Sequence, residues 1–174
     1  ALLLLTVVRN DLLAAWQQAA PPDAPNRFVI NIQPDQQADV RRMLAEAGLG
    51  PVTVAAIPES ADILETEIRD ALEAGARFIL VLGGSGFGVG NYAPEVVRSI
   101  VEVEIPGIAE QIRAHGLANT PLSGLSREVV GVTARDSSGA LIISSPCSRG
   151  GALDTLEVVT PLLAAIFHQL DEQR

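Results

Sequence analysis

Phe78-Ile79-Leu80-Val81-Leu82 runs directly into Gly83-Gly84-Ser85-Gly86-Phe87-Gly88-Val89-Gly90, and Asn91-Tyr92-Ala93-Pro94-Glu95 follows. An apolar run without alternation suits a strand covered on both faces of a parallel sheet. Glycine lets backbone N–H groups approach an anion with no Cβ in the way. Pro94 suits the first turn of a helix. Strand, glycine loop and helix N-terminus in this order form a candidate phosphate-binding site.

Upstream, Ser60 is placed to cap a helix with Asp62 in its first turn and Leu64, Ile68, Ala71 and Leu72 as its buried stripe, ending at Gly75. Pro51 to Ile57 reads as the strand before it. Asp35 to Ala47 reads as a helix with Val40, Met43, Leu44 and Ala47 on one face and Gly48 as its stop. Phe28-Val29-Ile30-Asn31-Ile32 fits either a short strand or a buried loop. Ala1 to Val8 reads as a buried first strand, because it has neither the basic lead nor the cleavage site of a signal peptide, and Asp11 to Gln18 as a helix. Strand, helix, strand in short order makes right-handed βαβ units and a parallel sheet. Downstream, helices are expected over Pro94–Val103 and Gly107–Ala114, and strands over Val129–Ala134 and Ala140–Ser144, joined by Asp136-Ser137-Ser138-Gly139. A last helix runs from about Ala152 to Leu170 with a kink at Pro161. The expectation is a single domain over residues 1–174: three-layer α/β/α with a mostly parallel central sheet.

Composition narrows the function. The chain has 174 residues, 48% apolar but 3% aromatic, so its core must come from Val, Ile, Leu and Ala. A net charge of −9 argues against nucleic-acid and anionic-membrane surfaces, and no apolar run reaches the length of a membrane helix. Cys147 stands alone, so no disulfide or cysteine cluster forms within the chain, and the cytoplasm is the expected compartment. His115 and His168 read as isolated residues near helix ends, with favourable dipole contacts and no metal pair.

In an open α/β sheet, ligands bind beyond the carboxyl ends of the strands. A second loop leaves such an end, Ser144-Ser145-Pro146-Cys147-Ser148-Arg149-Gly150-Gly151, offering hydroxyls, close-approach glycines and a guanidinium suited to a bidentate phosphate contact. A dinucleotide fingerprint is excluded, since Val89 stands where Gly84 and Gly86 would require a third glycine, and no P-loop lysine is present.

Gly83-Gly84-Ser85-Gly86 followed by Asn91-Tyr92-Ala93-Pro94-Glu95 resembles the Gly-Gly-Thr-Gly … Asp-x-Thr-Pro-Glu signature of the MoaB/Mog molybdopterin-binding family. Glu104 to Glu110, Leu125-Ser126-Arg127 and the loop from Ser145 to Gly151 resemble that family's later segments in the same order. The similarity extends from about Ala61 to the end. The resemblance implies a MoaB/Mog-like fold, a homotrimer, and a role late in molybdenum cofactor biosynthesis. It implies molybdopterin as ligand, held by Gly83, Gly84, Ser85, Gly86, Asn91, Pro146, Ser148, Arg149, Gly150 and Gly151. In active members ATP and Mg²⁺ join it, and AMP passes to the molybdopterin phosphate with the help of acidic residues.

The acids are where this chain departs. Asn91 replaces the signature aspartate and Ala93 the threonine; Thr6-Val7-Val8-Arg9-Asn10 stands for Thr-Val-Ser-Asp-Arg; Asp35-Gln36-Gln37-Ala38 matches the second acidic motif only with a one-residue shift. The glycines survive while the carboxylates do not, a pattern of retained binding over retained chemistry. Asn91 is either a ligand contact or the cap region of the next helix, and Asp35 either a metal carboxylate or first-turn stabilisation. Tyr92 either stacks on a pterin or covers the loop, and Cys147 is a small packed side chain. Two other functions stay open: a non-catalytic oligomeric scaffold that keeps the fold without the chemistry, and a nucleotide-processing relative resembling a domain of competence-damage proteins.

Overall fold

The computed structural model describes residues 27–30, 32, 34, 35, 37–46 and 52–172. The strand expected at Ala1–Val8 and the helix at Asp11–Gln18 lie outside them.

β1 (Arg27–Ile30), α1 (Gln37–Glu46), β2 (Thr53–Ala55), α2 (Ala61–Glu73) and β3 (Phe78–Leu82) form the first half. The stretch left open between strand and loop is therefore strand, and it sits between its neighbours: the sheet order is β2-β1-β3 on this side. The pairing is parallel throughout, with Phe28 opposite Thr53 and Ile79. α2 forms as its cap chemistry requires. Ser60 holds extended backbone and its hydroxyl accepts from the Ile63 N–H, while Leu64, Ile68 and Ala71 are buried. All of β3 is buried, as its unbroken apolar run requires.

α3 (Ala93–Ile100), β4 (Val103–Glu104), α4 (Pro106–Gly116), β5 (Val129–Val132), β6 (Leu141–Ser145), α5 (Arg149–Val159) and α6 (Leu163–Asp171) complete the chain. The full order is β2-β1-β3-β6-β5-β4. β6 pairs parallel to β3, while β5 is antiparallel to β6 and β4 antiparallel to β5. The parallel half and the antiparallel edge meet at β6. Helix α2 packs against α3, and α5 packs against both α1 and α4, giving the three layers expected.

One boundary is corrected, and the kink expected at Pro161 is present. The helix expected to Val103 ends at Ile100, where Val101 turns extended with φ −76° and ψ 138°. This lets Glu102 N–H donate to Val132 O at 2.9 Å and Ile105 N–H to Val130 O at 2.7 Å, so β4 joins the edge. The last helix is broken as Pro161 demands, by a 3₁₀ turn over Thr160–Leu162.

The core is aliphatic, with Ile30, Leu44, Ile68, Leu80 and Leu141 fully buried beside Phe78. Each such side chain contributes about 1.5–3 kcal/mol by leaving water. By length and composition, the helical stretch 149–171 is sufficient to cross a membrane. Here Ala152, Leu156, Val159 and Leu163 bury one side of it in the same core.

Candidate functional site

The two candidate loops leave adjacent parallel strands at one sheet edge, because Leu82 is in register with Ser145. Gly83 N–H donates to Ser145 O at 2.8 Å, and a Cβ on Gly83 would stand 3.3 Å from that of Cys147. Gly83 and Gly84 have φ of +102° and +64°, values that glycine adopts without strain.

The carbonyls of Gly84, Ser85, Gly86, Gly88 and Asn91 are tied down. Gly84 O accepts from Ala93 N–H at 3.2 Å and Ser85 O from Arg127 N–H at 2.9 Å. Gly86 O accepts from Arg127 Nε at 2.8 Å and Asn91 O from Arg127 Nη2 at 3.0 Å. Gly88 O accepts from the Asn91 N–H and, at 3.1 Å, from its side-chain amide. Among the described residues, the N–H groups of Gly84 and Ser85 have no hydrogen-bond partner, and neither has the Ser85 hydroxyl, although Ser85 is only 5% exposed. Buried donors are nearly always paired, and these three are of the kind that an oxygen acceptor satisfies.

Two helices begin at this edge. α3 begins directly after the glycine loop, and α5 begins at Ser148, whose hydroxyl accepts from Gly151 N–H at 3.1 Å. Each helix end carries roughly half a positive charge. A cleft opens between this edge and the β2–α2 connection, lined by Pro58, Glu59, Gly83, Gly84, Gly90 and Tyr92 among others. Glu59 is the carboxylate there, its Oε2 lying 3.8 Å from where a Cβ on Gly90 would stand.

A family model described as "Probable molybdopterin binding domain" matches residues 31–165. The chain belongs to that molybdopterin-binding family. The molybdopterin adenylyltransferase of Haemophilus influenzae is 31% identical over 104 residues, 59% of this chain and 51% of that protein. The solved structure of the molybdopterin biosynthesis Mog protein from Mycobacterium ulcerans superposes with a TM-score of 0.74 at 27% identity, covering 84% of this chain and 97% of that one. A stretch of 50 residues is 50% identical to the uncharacterized ABC transporter permease YbbP of Escherichia coli, covering 29% of this chain and 6% of that protein. The chain spans about half the length of the H. influenzae relative and 19% and 38% of two others.

For this member of the molybdopterin-binding family, the structure gathers Gly83, Gly84, Ser85, Gly86, Asn91, Pro146, Ser148, Gly150 and Gly151 at one edge. Asn91 is turned into its own loop: its Oδ1 accepts from Gly86 N–H at 3.2 Å. It does not cap α3, whose N-cap is Tyr92 and which has no side-chain cap hydrogen bond. Arg149 is engaged elsewhere, its Nε 2.6 Å from Asp39 Oδ2 on α1. That hydrogen bond holds Asp39 below, and Arg149 above, its ordinary value. Asp35 is exposed in the turn before α1 and is not among the cleft residues. The reading of His115 as isolated is corrected: its Nε2 lies 2.8 Å from Glu157 Oε2 and 3.7 Å from Asp154 Oδ1.

Sequence reasoning missed Glu59 and Arg127 as site residues. Pro58-Glu59-Ser60 reads as a helix cap, yet it also follows a strand's carboxyl end, which was the available signal. Mg²⁺ takes one or two carboxylates, keeps several waters and leans on substrate phosphates. Glu59 is the carboxylate among the cleft residues and would be the group to hold such an ion beside a bound phosphate.

Proposed function

We propose that this chain binds molybdopterin, a phosphorylated pterin, as part of molybdenum cofactor biosynthesis. The phosphate lies against the amides of Gly84 and Ser85 and the N-terminus of α5, and the Tyr92 ring at the cleft rim offers a face to the pterin. Gly150 leaves open space beside the bound group, and Ser148 sets the α5 N-terminus toward it. One observation carries this reading: the carbonyls of Gly84, Ser85, Gly86 and Gly88 are occupied while the amides of Gly84 and Ser85 and the buried Ser85 hydroxyl have no partner among the described residues. An acceptor-rich, negatively charged group completes such a set. Isothermal titration with molybdopterin tests it. Micromolar binding is expected, and no heat at millimolar ligand would leave the non-catalytic scaffold as the better description.

Glu59 favours a second step at the same site, adenylyl transfer from ATP. A molybdopterin phosphate oxygen attacks the α-phosphorus, the bond to the β-phosphate oxygen breaks, and pyrophosphate leaves. Such transfer depends on positioning and charge neutralisation. When bound, Mg²⁺ supplies that neutralisation, and Glu59 rather than Asp35 or Asn91 is the carboxylate placed to hold it. Glu59→Gln is then expected to abolish turnover with ATP and Mg²⁺ while sparing molybdopterin binding. The same proposal takes the protein to be a cytoplasmic homotrimer, on the strength of its family resemblance.

A further inference from the structure

We propose that Arg127 is the positioning residue of the glycine loop: by holding the carbonyls of Ser85, Gly86 and Asn91 it turns them away from the anion and fixes the loop that carries the free amides of Gly84 and Ser85. The inference rests on the reading that this loop holds the molybdopterin phosphate. A glycine-rich segment has many accessible peptide orientations, and a peptide unit turned over would present a carbonyl oxygen to an anion. Arginine is suited to prevent this, because its guanidinium carries five N–H donors and no acceptor.

The contacts of Arg127 bracket the loop. Its backbone N–H and Nε hold Ser85 O and Gly86 O at 2.9 and 2.8 Å, on the entering side of the tip. Its Nη2 holds Asn91 O at 3.0 Å, on the leaving side. Between them Phe87 and Val89 stand out in solvent, 74% and 104% exposed, with no packing to fix them. Glu95, in the first turn of α3, grips the guanidinium through both oxygens, Oε2 at 3.3 Å from Nη2 and Oε1 against Nη1. The two side chains are 33% and 55% exposed, so as an ion pair they add little stability. What they supply is direction: a planar fork that lysine, a point charge, cannot reproduce.

The test compares wild type, Arg127→Ala, Arg127→Lys and Glu95→Gln by titration with molybdopterin, melting temperature and hydrogen exchange of residues 84–91. Arg127→Ala and Arg127→Lys are expected to weaken binding about tenfold or more, the scale of losing charge-assisted hydrogen bonds. Exchange in the loop should quicken while the melting temperature holds, and millimolar methylguanidinium should restore binding to Arg127→Ala alone. If Arg127→Ala does not fold, Arg127→Lys and Glu95→Gln carry the comparison. Wild-type affinity in a folded Arg127 variant overturns the inference and leaves the binding reading standing. If wild type itself binds no molybdopterin, the underlying reading falls, and unchanged loop exchange in Arg127→Lys would overturn the positioning role as well.

Discussion

Thr155 has one hydroxyl proton and three neighbours within reach: Ser145 Oγ at 2.7 Å, Gly151 O at 2.8 Å and Glu128 Oε1 at 3.1 Å. Thr155 is the donor toward both Gly151 O and Glu128 Oε1, and its one proton is shared between them. Burial pushes the Glu128 carboxyl up to about 8 with help from Asp154, against the Thr155 hydrogen bond and the Arg113 charge. Since the folded chain then holds a proton the unfolded chain has lost, stability should fall as pH rises from about 4.5 to about 8 and level off above. Glu128→Gln keeps an acceptor oxygen for Thr155 without a charge to bury. It is expected to flatten that slope and to add on the order of a few kcal/mol at pH 8.5 in urea unfolding, with little change at pH 4.5. None of this was legible in the sequence, where Ser-Arg-Glu before a strand looks like a polar turn. A buried acid shows itself only through the partners that folding collects.

Ser148 links β6 to α5, and its hydroxyl caps that helix. Ser148→Ala is expected to cost about 1 kcal/mol, the usual loss of a cap, read as a shifted urea midpoint with an unchanged m-value. At element scale the sequence was most readable where two signals coincided. Phe78–Leu82 combined an unbroken apolar run with a glycine stop, and α2 combined a serine cap with a clear stripe. β1 was ambiguous because four residues carry too little periodicity; its neighbours β2 and β3 decide it. β4 was missed because two exposed residues, Val103 and Glu104, have no pattern of their own and gain strand geometry only from β5. The glycine loops were legible as loops, but the direction of their peptides was not, since Arg127 lies 41 residues from Gly86.

At the scale of the whole molecule, Arg77 ties three distant parts together. Its Nε donates to Gly139 O at 2.9 Å in the β5–β6 turn, and its Nη2 lies 2.9 Å from Asp171 Oδ1 at the end of α6. Its guanidinium also sits 5.0 Å from the Phe167 ring centre. Arg77→Ala is expected to cost about 1–3 kcal/mol, seen as a lowered melting temperature with molybdopterin affinity intact, because the staple lies at the opposite end of β3 from the site. That separation is the logic of the fold: the start of β3 anchors the structure, and its carboxyl end, beside that of β6, presents the loops. The most direct test is a ¹H–¹⁵N spectrum of the protein titrated with molybdopterin. The amides of Gly84, Ser85, Arg149 and Gly150 are expected to shift first and furthest. Binding that leaves those four resonances unmoved would contradict the site described here.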